Sequence, residues 1–218
     1  KKGDFNDDGI VDLVTANGGT SDVSVLIGSG SGTFAAPASF ATAFAPTAVA
    51  VSDLNNDGNQ DLAVANAGFA AVSILLGTGT GSFGAKTDFA TPAAALSVVI
   101  GDLNADGIPD LGAGGSTFTS YLIGTGTGSF GPANSLGSTD TYAMVAADLD
   151  DDGARDLVAA IGSVDEVSIF LNSPVPSATP AALAFGTPTP VPQGTVSAPG
   201  LLSFTNDGVA PMKIDGFT

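Results

Sequence analysis

Short runs of alternating apolar and polar residues make up most of residues 1–172, and glycine, asparagine and aspartate separate them. A period of two residues is typical of β-strands with one buried face. No stretch keeps the 3.6-residue period of an amphipathic helix. The pattern therefore predicts an all-β chain.

The same order of strands recurs four times. A first apolar run reads DLVTAN, DLAVAN, DLGAGG or DLVAAI, and a second reads DVSVLIG, AVSILLG, TSYLIG or EVSIFLN. A third strand is predicted around Phe40, Phe89 or Leu136, and a fourth lies in TAVAVSD, ALSVVIGD and AMVAAD. Four short antiparallel strands in each repeat predict the blades of a β-propeller.

A nine-residue phrase stands before each first run: DFNDDGIVD, DLNNDGNQD, DLNADGIPD and DLDDDGARD. The four copies begin at Asp4, Asp53, Asp102 and Asp148, at intervals of 49, 49 and 46 residues. We number their positions 1 to 9, with Asp at 1, Asn or Asp at 3, Asp at 5, Gly at 6 and Asp at 9. Hard divalent cations take oxygen ligands, and a short loop supplies several when alternate side chains point inward and glycine allows a sharp turn. The phrase predicts a calcium loop.

The phrase has two other interpretations. An EF-hand is not predicted, because its last ligand stands at position 12 and helices flank it. Four solvated Asx turns that bind no ion are the simpler alternative. Four copies in one register favour the metal site, since carboxylates held together without a cation are costly.

The four phrases, followed by VSVLIGSGSGTFAAP, VSILLGTGTGSFGAK and YLIGTGTGSFGPA, resemble FG-GAP/VCBS repeats. These are calcium-loop blades of bacterial surface and secreted proteins, similar to those of integrin α-subunit heads. The resemblance covers residues 1–172 and implies about one calcium ion in each blade, four in all. The side-chain ligands that it implies are Asp4, Asn6, Asp8, Asp12, Asp53, Asn55, Asp57, Asp61, Asp102, Asn104, Asp106, Asp110, Asp148, Asp150, Asp152 and Asp156. The backbone carbonyl ligands that it implies are those of Ile10, Asn59, Ile108 and Ala154.

The composition of the sequence changes after residue 172, where the repeats end. Residues 173–180 are rich in proline and are predicted to form a linker. Residues 181–218 resemble the opening half of an immunoglobulin-like module of the HYDIN/choice-of-anchor kind. We expect a partial β-sandwich there, because a whole one needs about 100 residues.

Composition excludes several classes of function. The net charge is −17 with only five Lys and Arg residues, which argues against nucleic acid and anionic membranes as partners. Four calcium ions would raise this charge from −17 to −9. No apolar run is long enough to predict membrane insertion. With no His and no Cys, and most paired acids explained as metal ligands, we predict that the chain is not an enzyme.

Two glycine-rich stretches match the dinucleotide-binding fingerprint G-x-G-x-x-G, at Gly79–Gly84 and Gly126–Gly131. Neither precedes a predicted helix, and both occupy the same place in the repeat. We therefore predict blade turns, with Phe83 and Phe130 as core anchors.

These observations predict an extracellular or cell-surface calcium-binding protein with a structural or adhesive role. The first repeat lacks an apolar strand before Asp4, and the fourth lacks one after Leu171. We expect other copies of the chain, joined by β-strand addition into a head-to-tail fibre, or flanking domains of a longer chain to complete the fold. Glycans and surface proteins are further candidate partners. The alternative is a lectin-like propeller, although its aromatic residues include no Trp and only Tyr121 and Tyr142.

Overall fold

The computed structural model describes residues 1–137, 140–162 and 166–172, together with the backbone of 201–205. These residues form four antiparallel sheets of four strands each. Within the same residues, no helix is long and apolar enough to cross a membrane. The predicted all-β fold with four-stranded, blade-like sheets is confirmed.

Each sheet is called a blade below, numbered in chain order. Blade 1 contains β1 (Lys2–Gly3), β2 (Asp12–Asn17), β3 (Asp22–Leu26) and β4 (Ala38–Ala41). Blade 2 contains β5 (Pro46–Ser52), β6 (Asp61–Asn66), β7 (Ala71–Leu75) and β8 (Thr87–Ala90). Blade 3 contains β9 (Ala95–Gly101), β10 (Asp110–Gly115), β11 (Thr119–Leu122) and β12 (Asn134–Ser135). Blade 4 contains β13 (Thr141–Ala147), β14 (Asp156–Ile161), β15 (Glu166–Phe170) and β16 (Leu201–Thr205).

Within each blade every strand pairs with the next one in sequence, so each blade is an antiparallel meander. The nine-residue phrase joins the first strand of a blade to the second. Position 9 is the first residue of the second strand and pairs with the end of the first, as Asp61 does with Ser52. The four loops therefore occupy equivalent places in their blades.

Apolar side chains pack between neighbouring blades and form three separate cores. Between blades 1 and 2, for example, Val14, Val23 and Val25 meet Leu62, Val64 and Leu75. Strands β6 and β10 are buried along their whole length, because a blade covers each of their faces. Strand β2 instead alternates buried and exposed residues at its start, since only one face of blade 1 is covered. Burial of the repeats thus depends on stacking between blades.

The first strands of blades 2 to 4 and strand β2 of blade 1 surround a shared cavity of about 440 Å³. Its lining includes Thr15, Thr47, Ser97 and Tyr142. The blades are therefore arranged around a common axis, as in a propeller.

The structure corrects two expectations about missing strands. Blade 1 does have a strand before Asp4, the two-residue β1, in which Lys2 pairs with Leu13. Blade 4 also has an outer strand: β16 pairs antiparallel with β15, with Leu201 opposite Phe170. This strand comes from the segment expected to begin an immunoglobulin-like sandwich, so at least residues 201–205 complete blade 4 instead. The rest of the predicted linker and sandwich, residues 173–200 and 206–218, lies outside the described residues.

Candidate metal centres

Two left-handed backbone positions shape each nine-residue loop. Position 4 has a φ of 57° to 60° in all four loops, at Asp7, Asn56, Ala105 and Asp151. Position 6 is glycine with a φ of 77° to 92°, at Gly9, Gly58, Gly107 and Gly153. Only glycine adopts this region freely, whereas Asn and Asp tolerate it. The two reversals turn the loop back on itself, so that its polar side chains bond with its own backbone.

The carboxylates at positions 1 and 5 accept hydrogen bonds from this backbone. In loop 1, the N–H of Gly9 donates to Asp4 Oδ2 at 2.8 Å and the N–H of Ile10 donates to Asp8 Oδ1 at 2.7 Å. In loops 2, 3 and 4 the same two bonds measure 2.8–3.0 Å. In loops 1 to 3 the Asn at position 3 also donates its Nδ2 to the Asp at position 5, at 2.9–3.0 Å. Loops 1 to 3 thereby gather the oxygens of positions 1, 3 and 5.

The Asp at position 9 is fully buried in every loop. Its Oδ2 accepts the N–H of position 2 at 2.8 Å in all four loops. Its Oδ1 accepts a second N–H at 2.7 Å from the second residue after the third strand, which is Gly28, Gly77, Gly124 or Asn172. Each carboxylate oxygen accepts one N–H and keeps one lone pair for an ion. The two hydrogen bonds together connect the start of the loop to the end of the third strand.

The residue that supplies the second N–H was missed by the sequence analysis. In blades 1 to 3 it is a glycine, and a Cβ there would clash with the backbone carbonyl oxygen of loop position 8, for example that of Gln60 at Gly77. The available signal was a glycine 14 to 16 residues after the last Asp of the loop.

Loop 4 contains a cluster of carboxylates that can hold a metal ion. Oxygens of Asp148, Asp150 and Asp156 all lie within 4.8 Å of one another. Loop 4 has Asp at position 3, where the other three loops have Asn, and this adds a third carboxylate. The nearby Arg155 donates its Nη1 to the carbonyl oxygen of Ala146 at 3.4 Å.

Burial raises the pKa of the position-9 carboxyls in loops 2, 3 and 4. The pKa of Asp110 rises to about 7, mainly because burial disfavours its charged form, although the N–H groups of Gly124 and Leu103 oppose this. The pKa values of Asp61 and Asp156 are raised for the same reason. The charges at positions 1 and 5 contribute to the shifts of Asp61 and Asp110. A cation bound in the loop would favour the ionised form.

These shifts predict the pH dependence of the calcium-free protein. A carboxyl with a raised pKa stabilises the fold below its ordinary pKa, and this contribution is lost as pH rises through the folded-state value. For Asp110 the loss occurs between its ordinary pKa of 3.8 and about 7. We expect urea denaturation after removal of calcium to give a higher free energy of unfolding at about pH 5 than at about pH 8. A free energy of unfolding that rises over this range in calcium-free buffer would contradict the prediction.

In loops 1 to 3 the structure joins positions 1, 3 and 5 by hydrogen bonds, and in loop 4 it brings carboxylate oxygens of positions 1, 3 and 9 within 4.8 Å of one another. It also places the predicted carbonyl ligands Ile10, Asn59, Ile108 and Ala154 at position 7, where each N–H donates to the Asp at position 5. Ligation by the side chains and by these carbonyls remains a prediction. The two stretches with the dinucleotide fingerprint lie in turns between the third and fourth strands of blades 2 and 3, as predicted, and Phe83 and Phe130 are buried.

Several solved structures are similar to this chain. An Agrocybe aegerita lectin that recognises non-reducing terminal N-acetylglucosamine matches with a TM-score of 0.53 and 20% identity, over 78% of this chain and 47% of the lectin. The Photorhabdus luminescens Tc holotoxin pore matches with a TM-score of 0.41 and 18% identity, over 95% of this chain and 9% of that one. The Vibrio cholerae biofilm matrix protein Bap1 matches with a TM-score of 0.43 and 15% identity, over 78% of this chain and 34% of Bap1. The chain spans less than half the length of each, and the lectin supports the fold alone.

A comparison with curated proteins found no match. The sequence model of the FG-GAP-like repeat matches twice, over residues 4–64 and 53–113, and together these matches cover half of the chain. Each match begins at position 1 of a nine-residue loop and ends within the second strand of the next blade. The repeats defined by the loops and blades are therefore the same as those that the family describes, and this chain belongs to the FG-GAP-like repeat family.

Proposed function

We propose that this chain is a calcium-binding structural module whose loops hold its blades in shape. The observation that carries the proposal is the recurrence of one loop design in four blades, with oxygen-bearing side chains at positions 1, 3 and 5 and a buried Asp at position 9. Calcium suits such a set because it takes six to eight oxygens in flexible geometry. The three clustered carboxylates of loop 4 support the same conclusion.

We further propose that the module works outside the cell, in an adhesive or scaffolding role. Extracellular calcium modules have dissociation constants on the order of 10⁻⁴ to 10⁻³ M, which suits media with millimolar calcium. A net charge of −17 would strain the calcium-free fold through self-repulsion, and bound ions would relieve it. Other copies of the chain, flanking blades or surface molecules are the partners that such a scaffold would contact. No catalytic role is proposed.

A lectin-like function is less well supported by the site geometry. A sugar platform usually needs an exposed aromatic ring. Tyr121 is buried between blades 3 and 4, so one of the two tyrosines cannot serve. Tyr142 is exposed, but it lines the central cavity rather than a groove between blades. Among the described side chains, the other exposed aromatic rings are those of Phe34, Phe44, Phe69 and Phe118, which have no polar group to bond a sugar hydroxyl.

Removal of one ligand should empty one site only. The Asp106→Ala variant loses the position-5 carboxylate of loop 3, which is exposed and makes only contacts within its loop. We expect isothermal titration calorimetry to count four calcium ions for the native chain and three for the variant. Asp88→Ala, in the outer strand of blade 2, is the control and should still bind four. A variant that still binds four calcium ions would contradict the assignment.

A further inference from the structure

Position 8 of a nine-residue loop contacts the preceding loop at two of the three junctions between the blades. Between blades 1 and 2, the side-chain Oε1 of Gln60 accepts the N–H of Asp4 at 2.9 Å. Between blades 3 and 4, the N–H of Arg155 donates to the carbonyl oxygen of Asp102 at 2.9 Å. Asp4 and Asp102 both stand at position 1. In each case, one loop therefore holds the main chain of a predicted ligand of the loop before it.

The residue before position 1 is a glycine in both loops that receive this contact. A Cβ on Gly3 would overlap the Oε1 of Gln60. A Cβ on Gly101 would lie only 2.9 Å from the Cδ of Arg155. The two glycines therefore leave room for the position-8 residue of the next blade to approach the backbone.

The junction between blades 2 and 3 has neither feature. Position 8 of loop 3 is Pro109, which has no N–H and no polar side-chain atom, and Ser52 precedes position 1 of loop 2. The glycine-rich turn still makes its contact there, because the N–H of Gly128 donates to the carbonyl oxygen of Leu54 at 3.0 Å, and the matching turn of blade 2 bonds to loop 1 in the same way. The two junctions of blade 2 therefore share the turn contact and differ at position 8.

Position 8 lies between two predicted ligands of its own loop. Gln60 stands between Asn59, a predicted carbonyl ligand, and the buried Asp61. The link in loop 4 is more direct, because the predicted carbonyl ligand of Ala154 and the N–H of Arg155 belong to one peptide group. Calcium binding that orders positions 7 and 9 would also fix position 8 between them. Through its hydrogen bond, position 8 would then fix position 1 of the preceding loop.

We propose that calcium binds to these loops in two coupled pairs, loop 1 with loop 2 and loop 3 with loop 4. Gln60 and Arg155 are the positioning residues of this coupling. Occupation of the second loop of a pair lowers the free energy needed to order position 1 of the first. Coupling between two binding sites is reciprocal, so occupation of the first loop favours the second to the same degree. Loops 2 and 3 bind independently of each other. The proposal rests on the calcium-binding function proposed above.

Nuclear magnetic resonance of glycine amides can measure calcium binding at each loop separately. In every loop the N–H of position 6 donates to the position-1 carboxylate, so loops 1 to 4 are followed through the amide resonances of Gly9, Gly58, Gly107 and Gly153. The Asp57→Ala variant empties loop 2 and leaves Gln60 in place. We expect calcium affinity at loop 1 to fall by about fivefold or more, because loop 2 no longer orders its position 1.

Loop 3 is the internal control in this experiment. It is the other neighbour of loop 2 and experiences a similar change of charge, but Pro109 makes no bond to loop 2. Its calcium affinity should therefore be the same in Asp57→Ala as in the native chain. Asp106→Ala, which empties loop 3, tests the second pair: the affinity of loop 4 should fall, and that of loop 2 should not change.

The Gln60→Met variant separates coupling from a structural role. Methionine keeps the length of the side chain and removes the acceptor oxygen, so adding Asp57→Ala to this variant should no longer change the affinity of loop 1. If Gln60 only supported the fold, its loss would weaken loop 1 whether or not loop 2 held calcium, and the dependence on loop 2 would persist.

Two results would overturn the proposal: equal effects of Asp57→Ala on loops 1 and 3, or a dependence of loop 1 on loop 2 that persists in Gln60→Met. Both leave calcium binding itself intact. Glycine resonances that do not respond to calcium in any loop would instead contradict the proposed function, and the coupling with it.

Discussion

The Asp61→Ala variant should be less stable than the native chain by about 2–5 kcal/mol even when no calcium is bound. Asp61 accepts the N–H groups of Leu54 and Gly77, and alanine would leave both buried donors without a partner. The alanine variant also removes a buried carboxylate charge, and this offsets part of the cost. The offset is smaller at about pH 5, because burial raises the Asp61 pKa and the carboxyl carries less negative charge there. Urea denaturation in calcium-free buffer measures the difference.

Asp57→Ala is the matched control in the same loop. Asp57 is exposed, and its Oδ1 accepts the N–H of Asn59 within the loop. Both variants should lose the calcium ion of blade 2, but Asp57→Ala should change the stability of the calcium-free protein far less than Asp61→Ala does, because surface substitutions of this kind have small effects. Equal stabilities of the two variants without calcium would show that position 9 acts only as a metal ligand and not as an anchor of the fold.

Chelation should lower the melting temperature of the native chain sharply at neutral pH, and added calcium should restore it. At about 10 mM free calcium, a site with a dissociation constant of 10⁻⁴ to 10⁻³ M stabilises the folded state by about 1.4–2.7 kcal/mol. Four such sites would therefore contribute a large share of the stability of a domain of this size. Differential scanning calorimetry with chelator, and after calcium is returned, measures the effect.

Magnesium provides the control for this experiment. It prefers a near-ideal octahedral set and keeps several of its waters, so it should restore less of the melting temperature than calcium at the same concentration. Recovery that is equal with both ions would indicate simple charge screening. A melting temperature that does not change on chelation would show that the loops contribute nothing to folding.

Calcium binding and the hydrogen bonds of the position-9 Asp would act on the same hairpin in each blade. Position 9 begins the second strand, and its two hydrogen bonds join the loop to the turn after the third strand. A bound ion would fix positions 1, 3 and 5 against the same carboxylate. We therefore expect metal binding to order the end of a blade that also contacts its neighbour, as the bond from Gly81 to Phe5 illustrates. This arrangement links the proposed calcium sites to the packing of the blades.

The sequence by itself determined the repeat, the loop positions and the all-β fold. These features are local: alternation predicts a strand, and the spacing of Asp, Asn and Gly within nine residues predicts a loop that gathers oxygens. Phe83 and Phe130 were also recognised as core residues from their place in the repeat. Sequence reasoning did not identify the N–H donors of Gly28, Gly77 and Gly124, because their partners lie 14 to 16 residues away across two strands.

Only the tertiary structure decided which copies of a repeated residue are buried. Phe34 and Leu13 have the same local sequence context as their buried counterparts, yet they are exposed, because none of the described blades covers that face of blade 1. The sequence likewise predicted a different module for the outer strand of blade 4. Strand β16 lies about thirty residues beyond β15, and its own sequence does not indicate which strand it pairs with. Strand pairing and blade stacking are non-local contacts. A repeat specifies the shape of a blade, and its neighbours in space determine which of its faces are covered.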